Sequence, residues 1–267
     1  MHDYDDIENI NTEPLEHTRD ENVIVGRNPV AEALRSGREI DKLLIAHGAN
    51  TGSTRAIVAK CRERGILVKE VSPQKLDFMS GGASHQGVAL IVAAHKYCTV
   101  EDILNYAREK NEAPFVIICD EIEDPHNLGA IIRTAEACGV HGIIIPKRRS
   151  ASLNTVVAKS SAGALEYMRV ARVTNIPSVI DELKEQGLWI YAADMDGGPW
   201  CQTDYTGASA FVIGNEGRGV GPLVKKKCDG IVAMPMVGQI NSLNASVAAG
   251  ILMYEAARQR QGIKAVK

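Results

Sequence analysis

The chain has 267 residues, 45% hydrophobic and only 4% aromatic, which fits a globular α/β protein and argues against a disordered or membrane-embedded one. Its longest apolar runs fall short of the roughly 20 residues that a membrane-crossing helix needs. Six scattered cysteines (Cys61, Cys98, Cys119, Cys138, Cys201 and Cys228) form no C-x-x-C pair, so reduced thiols are expected, with no disulfide frame and no metal site.

The net charge of −3 hides an uneven distribution. Residues 1–22 hold eight carboxylates and one arginine, and the rest of the chain carries 29 basic against 25 acidic groups. Basic clusters stand at Lys147-Arg148-Arg149, at Arg169 with Arg172, and at Lys225-Lys226-Lys227. Such clusters permit an RNA partner, although most are simply solvated surface. The opening MHDYDDIENI is acidic and unlike a secretory leader, so a cytoplasmic protein with no membrane partner is expected.

Residues 1–22 lack periodicity and read as a disordered acidic tail. From Val23, short apolar runs alternate with amphipathic stretches. NPVAEALRSG reads as a helix capped by Asn28, with Pro29 in the first turn and Gly37 at the end. IDKLLIAH is a strand, STRAIVAKCRERG a basic helix, and ILVKEV and GVALIVAAH are strands. These compose a small α/β unit over 23–96, followed by a mainly helical linker over 97–113.

The second unit, 114–267, repeats strand then helix. FVIICDEI precedes NLGAIIRTAEACG, GIIIP precedes LNTVVAKSSAGAL, and EYMRVARV precedes PSVIDELKEQG. LWIYAAD, AFVIG and a short helix VGPLVKKKC follow. A strand over Ile231 to Met236, a polar turn from Val237 to Asn241, and a helix entered through Ser242, Leu243 and Asn244 close the chain. Unalternating apolar strands between helices predict a mainly parallel sheet covered on both faces. The last helix is apolar nearly all round and is expected to pack on more than one side.

Three segments could carry chemistry. FVIGNEGRGVG ends a strand in a turn rich in glycine, at the sheet edge where open α/β folds bind ligands. Its glycines, Gly214, Gly217, Gly219 and Gly221, match neither G-x-G-x-x-G nor a complete P-loop. DPHNLGAIIRTAEACGV places Asn127 as an expected helix cap and Arg133 on an apolar segment, where its charge needs a partner or a wet cleft. The small residues of SSAGAL are expected to let helices approach closely.

NLGAIIRTAEACGV, FVIGNEGRGV and MPMVGQINSLNASVAAGI, in this order, resemble the three motifs of the SpoU (TrmH) family of RNA 2′-O-ribose methyltransferases. The preceding unit is similar to the family's L30e-like substrate-binding domain. Together they resemble the RlmB-type enzymes that methylate a guanosine of large-subunit (23S) ribosomal RNA. The resemblance implies a SPOUT α/β-knot domain with a trefoil knot, S-adenosyl-L-methionine as cofactor, a homodimer, and ribosomal RNA as partner.

It also implies a catalytic group of Asn127, Arg133, Glu216, Ser242 and Asn244, and cofactor contacts at Gly214, Asn215, Gly217, Met234, Leu243 and Asn244. A transfer RNA enzyme, a thiopeptide-resistance ribosomal RNA enzyme, or a non-catalytic RNA-binding assembly factor would fit the same motifs. Lys225 to Lys227 and the basic helix over 54–64 are candidate phosphate contacts.

Overall fold

A computed structural model describes residues 22–36, 39–49, 52–92, 95–240 and 242–264. The acidic tail up to residue 21, the expected helix end at Gly37 and the turn residue Asn241 lie outside the described residues.

The first unit opens with β1 (Val23–Val25) and α1 (Arg27–Arg35), followed by β2 (Ile40–Ala46), α2 (Gly52–Glu63), β3 (Leu67–Val71), α3 (Pro73–Ser80) and β4 (Val88–Val92). Its four strands pair in the order β1-β4-β2-β3. Strand β4 runs antiparallel to β1 and β2, whereas β2 and β3 are parallel. Every residue of β4 is buried, as a central strand covered on both faces requires. Two local readings need correction. Gly26, not Asn28, caps α1, because a backbone turn at φ 93° already redirects the chain there. Helix α3 is additional; Ser72 caps it by accepting from Lys75 N, with Pro73 in the first turn.

In the second unit α4 (Val100–Glu109) leads into β5 (Phe115–Cys119), α5 (Pro125–Ala137), β6 (Gly142–Pro146), α6 (Thr155–Ser160), β7 (Val170–Val173) and α7 (Ile176–Glu185). Then come β8 (Trp189–Pro199), β9 (Ser209–Ile213), α8 (Pro222–Lys227), β10 (Gly230–Ala233) and α9 (Ala245–Arg260). The sheet order is β10-β8-β9-β5-β6-β7, and every neighbouring pair is parallel.

Side chains alternate across this sheet. Ile117 and Cys119 of β5 join a core with α5, α6 and α9, while Val116 and Ile118 join another with α4, α7 and α8. The polar passage around α4 therefore does more than connect. Thr99 and Asp102 form a capping box, Cys98 bridges to Ala171, and Ile103 and Leu104 are buried against the sheet.

Some bounds differ from the expected ones. Of the segment expected as the strand EYMRVARV, only Val170–Val173 is strand; its first residue ends a 3-10 turn over Ala164–Glu166 that is entered through Gly163 at φ 90°. Strand β8 runs five residues beyond Asp194 because Gly197 lies against the next strand; a Cβ there would come within 2.5 Å of Ile231 C. The small-residue expectation holds at α5 and α6, where a Cβ on Gly129 would fall 2.4 Å from Ser160 Cβ.

The last helix ends on Arg260, whose guanidinium donates to the carbonyls of Ala113 (2.8 Å), Pro114 (3.1 Å), Gly207 (2.5 Å) and Tyr205 (3.1 Å). Burial pulls this group below its ordinary range, and Phe115 lies under it at 4.7 Å. Packing of α9 is one-sided in the single chain. Ala249, Leu252, Met253 and Ala256 are fully buried, but Val247 and Tyr254 remain 49% and 58% exposed.

Beside this junction His141 is buried, its Nδ1 accepting from Phe115 N (3.0 Å) and its Nε2 lying 3.0 Å from Glu112 Oε2. Burial, outweighing the opposite pull of Glu112, lowers the imidazole pKa from its ordinary 6.5. The unfolded chain thus takes up a proton that the folded chain refuses. The stability this group contributes is present above pH 6.5 and is gone once the pH has fallen through the lower folded value. Denaturant midpoints should decline between about pH 7 and 5, and a His141→Gln variant should decline less steeply. Parallel profiles for the two proteins would show that His141 does not set this slope.

Candidate active site

Because all six strands of the second sheet are parallel, their carboxyl ends share one edge. Three loops meet there. After β9 the chain turns back on itself: Gly219 N donates to Asn215 O (2.7 Å) and Asn215 N to Gly219 O (3.1 Å). Asn215 braces the turn by accepting from Gly217 N (2.9 Å) and donating to Glu121 O (3.2 Å) after β5. A Cβ on Gly214 would lie 2.2 Å from Gly219 C, so only glycine permits this closure.

The second loop enters α5. Asp124 caps that helix by accepting from His126 N, with Pro125 in the first turn. Asn127 is therefore not the expected cap. It sits inside the first turn, 7% exposed, with its amide free to cross to other elements. The third loop enters α9, where Asn244 is the cap and its Oδ1 accepts from Ser246 N (2.9 Å) and Val247 N (3.3 Å).

These loops converge on one carboxylate. Glu216 Oε1 accepts from Asn127 Nδ2 (2.7 Å) and Asn244 Nδ2 (2.5 Å), and Asn244 Nδ2 also donates to Asn127 Oδ1 (2.9 Å). The surface pair conceivable from sequence, Glu216 with Arg218, does not form; Arg218 Nη1 instead lies 3.7 Å from Glu121 Oε2. Among the described residues Glu216 is thus held by neutral donors only. Arg133, six residues after Asn127 on α5, is exposed and makes no side-chain hydrogen bond or ion pair among the described residues.

Behind the cluster lies a cavity of about 300 Å³, within the range of small-molecule sites. Its walls include Gly214, Asn215, Gly217, Met234, Ser242 and Leu243, all expected from sequence. Asp194, Met195, Met236, Ala245 and Ala248 also line it and were not singled out. Asp194 had a legible signal, since it follows a buried strand toward the ligand-binding edge. In the structure it pairs with Lys225 Nζ (2.6 Å), so that lysine is engaged beside the cavity. Apolar walls at Met195, Met234, Met236 and Leu243, with a few polar groups among them, are the make-up of a small-molecule site. Asp120, 7% exposed, accepts from Gly221 N (2.8 Å) and fixes the far side of the loop; burial pushes its carboxyl up.

Asn244 serves two ends, and substitutions can separate them. Asn244→Ser keeps an oxygen cap on α9 but loses the amide, whereas Asn244→Ala loses both. Denaturant unfolding should find the alanine variant less stable than the serine variant by about 1 kcal/mol. Equal stabilities would mean that the cap contributes nothing.

Comparison with known proteins agrees with this architecture. The SpoU rRNA methylase family model matches residues 114–254, and the model for RNA 2′-O ribose methyltransferase substrate binding matches residues 23–98. YacO of Bacillus subtilis (strain 168), assigned to the TrmH family of tRNA/rRNA methyltransferases, is 47% identical over 241 residues, covering 90% of this chain and 96% of its own. A relative with the same assignment from Staphylococcus aureus (strain MSSA476) is 45% identical over 249 residues, 91% and 98% of the two chains. Among solved structures, the SpoU methyltransferase AviRb of Streptomyces viridochromogenes in complex with AdoMet is 26% identical, with a TM-score of 0.58 over 90% of each chain. The AdoMet-bound rRNA methyltransferase of Sinorhizobium meliloti is 25% identical, with a TM-score of 0.57 over 91% and 88%. With a catalytic-family match over the second sheet and a substrate-binding match over the first, this chain belongs to the SpoU/TrmH family of RNA methyltransferases.

Proposed function

We propose that this protein transfers the methyl group of S-adenosyl-L-methionine to a ribose 2′-hydroxyl of ribosomal RNA, at a guanosine of the large-subunit (23S) RNA, in the cytoplasm. The observation that carries the reading is the meeting of Asn127, Glu216 and Asn244 at the mouth of the cavity lined by Gly214, Met234 and Leu243. AviRb and the Sinorhizobium enzyme, both solved with AdoMet, support the choice of cofactor.

The cofactor would lie against Met234, Leu243 and the closed turn at Gly214, with Asn215, Gly217 and Asn244 at its polar end. When bound it supplies an electrophilic methyl group. The chain must align a ribose oxygen with it and accommodate loss of the hydroxyl proton. Glu216, fixed by two amides, and Ser242 at the cavity edge are placed to orient the ribose. Asn127 and Asn244 hold Glu216 in register. Arg133 binds the neighbouring phosphate and stabilises charge on the attacking oxygen, while the proton leaves to water. A guanidinium is a poor proton acceptor, so a stabilising role suits it better than that of a base.

In the single chain Arg133 makes no contact with this cluster. Thr134, next to it, lies beneath α9, where a Cβ on Gly250 would stand 3.7 Å from Thr134 Cγ2. Val247 and Tyr254 are exposed on that helix. A homodimer that covers this apolar face would bury it and carry Arg133 to the partner's site. The unit over 23–96 would grip RNA, with 114–267 as the methyltransferase domain and 97–113 between them.

Arg133→Ala should retain S-adenosyl-L-methionine affinity within a few-fold, by calorimetry, yet lose methyl transfer by about 10²-fold or more. Arg133→Lys should fail similarly, since lysine lacks the planar fork. Near-normal turnover of either variant would remove Arg133 from the mechanism. The whole reading is tested by mapping ribose methylation in RNA from a strain lacking the gene. One guanosine of large-subunit ribosomal RNA should lose its methyl group. Loss confined to transfer RNA would redirect the substrate, and no loss at all in ribosomal or transfer RNA would sink the enzyme assignment.

A further inference from the structure

A second cleft, about 880 Å³ in volume, lies between the two units. Its floor is an ion pair that crosses from one sheet to the other. Asp41 of β2, with its side chain 1% exposed, receives Arg172 Nη1 of β7 at 2.6 Å, and Arg172 Nη2 donates to Asp41 O at 3.2 Å. Tyr97 adds its hydroxyl to Asp41 Oδ1 (3.1 Å) and accepts from Leu153 N (3.0 Å). These contacts set the two walls at a fixed separation and neutralise the floor.

The walls are basic. Arg62 and Arg64, at the end of α2, stand on one side, and Lys147 and Arg148, just after β6, on the other. Of the acids in the lining besides Asp41, Asp102 is committed to Thr99 N (2.8 Å) and Thr99 Oγ1 (2.7 Å), which leaves Glu39. Arg64 gives Nη1 to Leu34 O (2.5 Å), whereas Arg62, Lys147 and Arg148 have no side-chain partner among the described residues. The chain's other basic clusters are largely engaged. Lys225 pairs with Asp194, Lys227 with Asp181, and the Arg169 guanidinium lies 3.3 Å from the centre of the Tyr106 ring. Three cations without a side-chain partner among the described residues therefore face one cleft, and together they suit a polyanion.

Two residues of the cleft and the candidate active site share one edge of the second sheet. Lys147 and Arg148 leave β6 at the same sheet edge from which Glu121 leaves β5 and Glu216 leaves β9. Arg149 reaches Glu121 (2.8 Å), and Glu121 in turn meets Arg218 and accepts from Asn215. With strands roughly 4.8 Å apart, β7 and β9 are separated by only about 14 Å along this edge. A chain lying in the cleft and following the rim would arrive at Glu216.

We propose that the cleft between the two units is the track along which the RNA backbone runs to the methylation site, its phosphates bound by Arg62, Lys147 and Arg148. The proposal rests on the methyltransferase reading for the identity of the polyanion, and it makes the interface between the units part of the substrate site.

The test uses the full-length chain with Arg62→Ser and Arg148→Ser together. Lys147→Ser serves as an independent second variant, and Arg108→Ser with Lys264→Ser as a control of equal charge. Binding to large-subunit ribosomal RNA is measured on filters from about 50 to 200 mM salt. Affinity for S-adenosyl-L-methionine is measured by calorimetry. The cleft pair should weaken RNA binding on the order of tenfold at low salt and flatten the log-log salt slope by about 1.5, with cofactor affinity unchanged. Lys147→Ser should act in the same direction by about half, and the control should leave RNA binding within twofold. Wild-type RNA affinity and slope in both cleft variants would overturn the proposal, as would an equal loss in the control. Should the unaltered chain bind RNA but no S-adenosyl-L-methionine, the methyltransferase reading would fall while the cleft would still be judged on its slopes.

Discussion

One side chain holds the candidate site together. Asn244 uses its oxygen to cap the last helix and its amide nitrogen to reach Glu216 and Asn127, which come from loops 28 and 117 residues away. The cap is a local interaction that any helix start could make. The amide contacts can form only when the loop bearing Glu216 and the helix bearing Asn127 are already in place. Local helix initiation and long-range assembly are therefore joined at one residue, and the cavity wall formed by Leu243 and Ala245 is positioned with it.

Much of this arrangement was legible in the sequence, for identifiable reasons. Apolar strands such as FVIIC lie covered on both faces, so their composition alone announced a parallel sheet. Asn244 could be read as a cap because the residues after it become helical and apolar at once. Asn127 misled on the same logic: it is a good capping residue, yet Asp124 and Pro125, three and two positions earlier, make the stronger start. The helix over Pro73–Ser80 was announced by Ser-Pro, but its short length and sparse apolar content gave no periodicity. Partner choice was beyond any sequence argument. Glu216 turns to two amides and Arg218 to Glu121 because of where three remote loops end, and no spacing encodes that.

The junction of the two units has a different physical character. A buried aspartate and a partly buried arginine, having given up hydration, add little net stability, but any rearrangement that separates them leaves a charge unsatisfied. Asp41 and Arg172 therefore act chiefly on orientation. They favour one angle between the substrate-binding unit and the sheet edge where Glu216 stands. The neighbouring cations are left unpaired at that angle, which is what gives the cleft its positive potential.

The fork of Arg260 at the far end of the last helix has a mechanical corollary. Its hydrogen bonds reach the residues before β5 and β9, so the helix is bolted to the amino edge of the sheet while Asn244 fastens it to the carboxyl edge. A rod secured at both ends can neither slide nor pivot independently of the sheet. Whatever yielding the cavity needs in order to admit and release a ligand therefore falls to walls outside that helix, among them Asp194, Met195 and Met236.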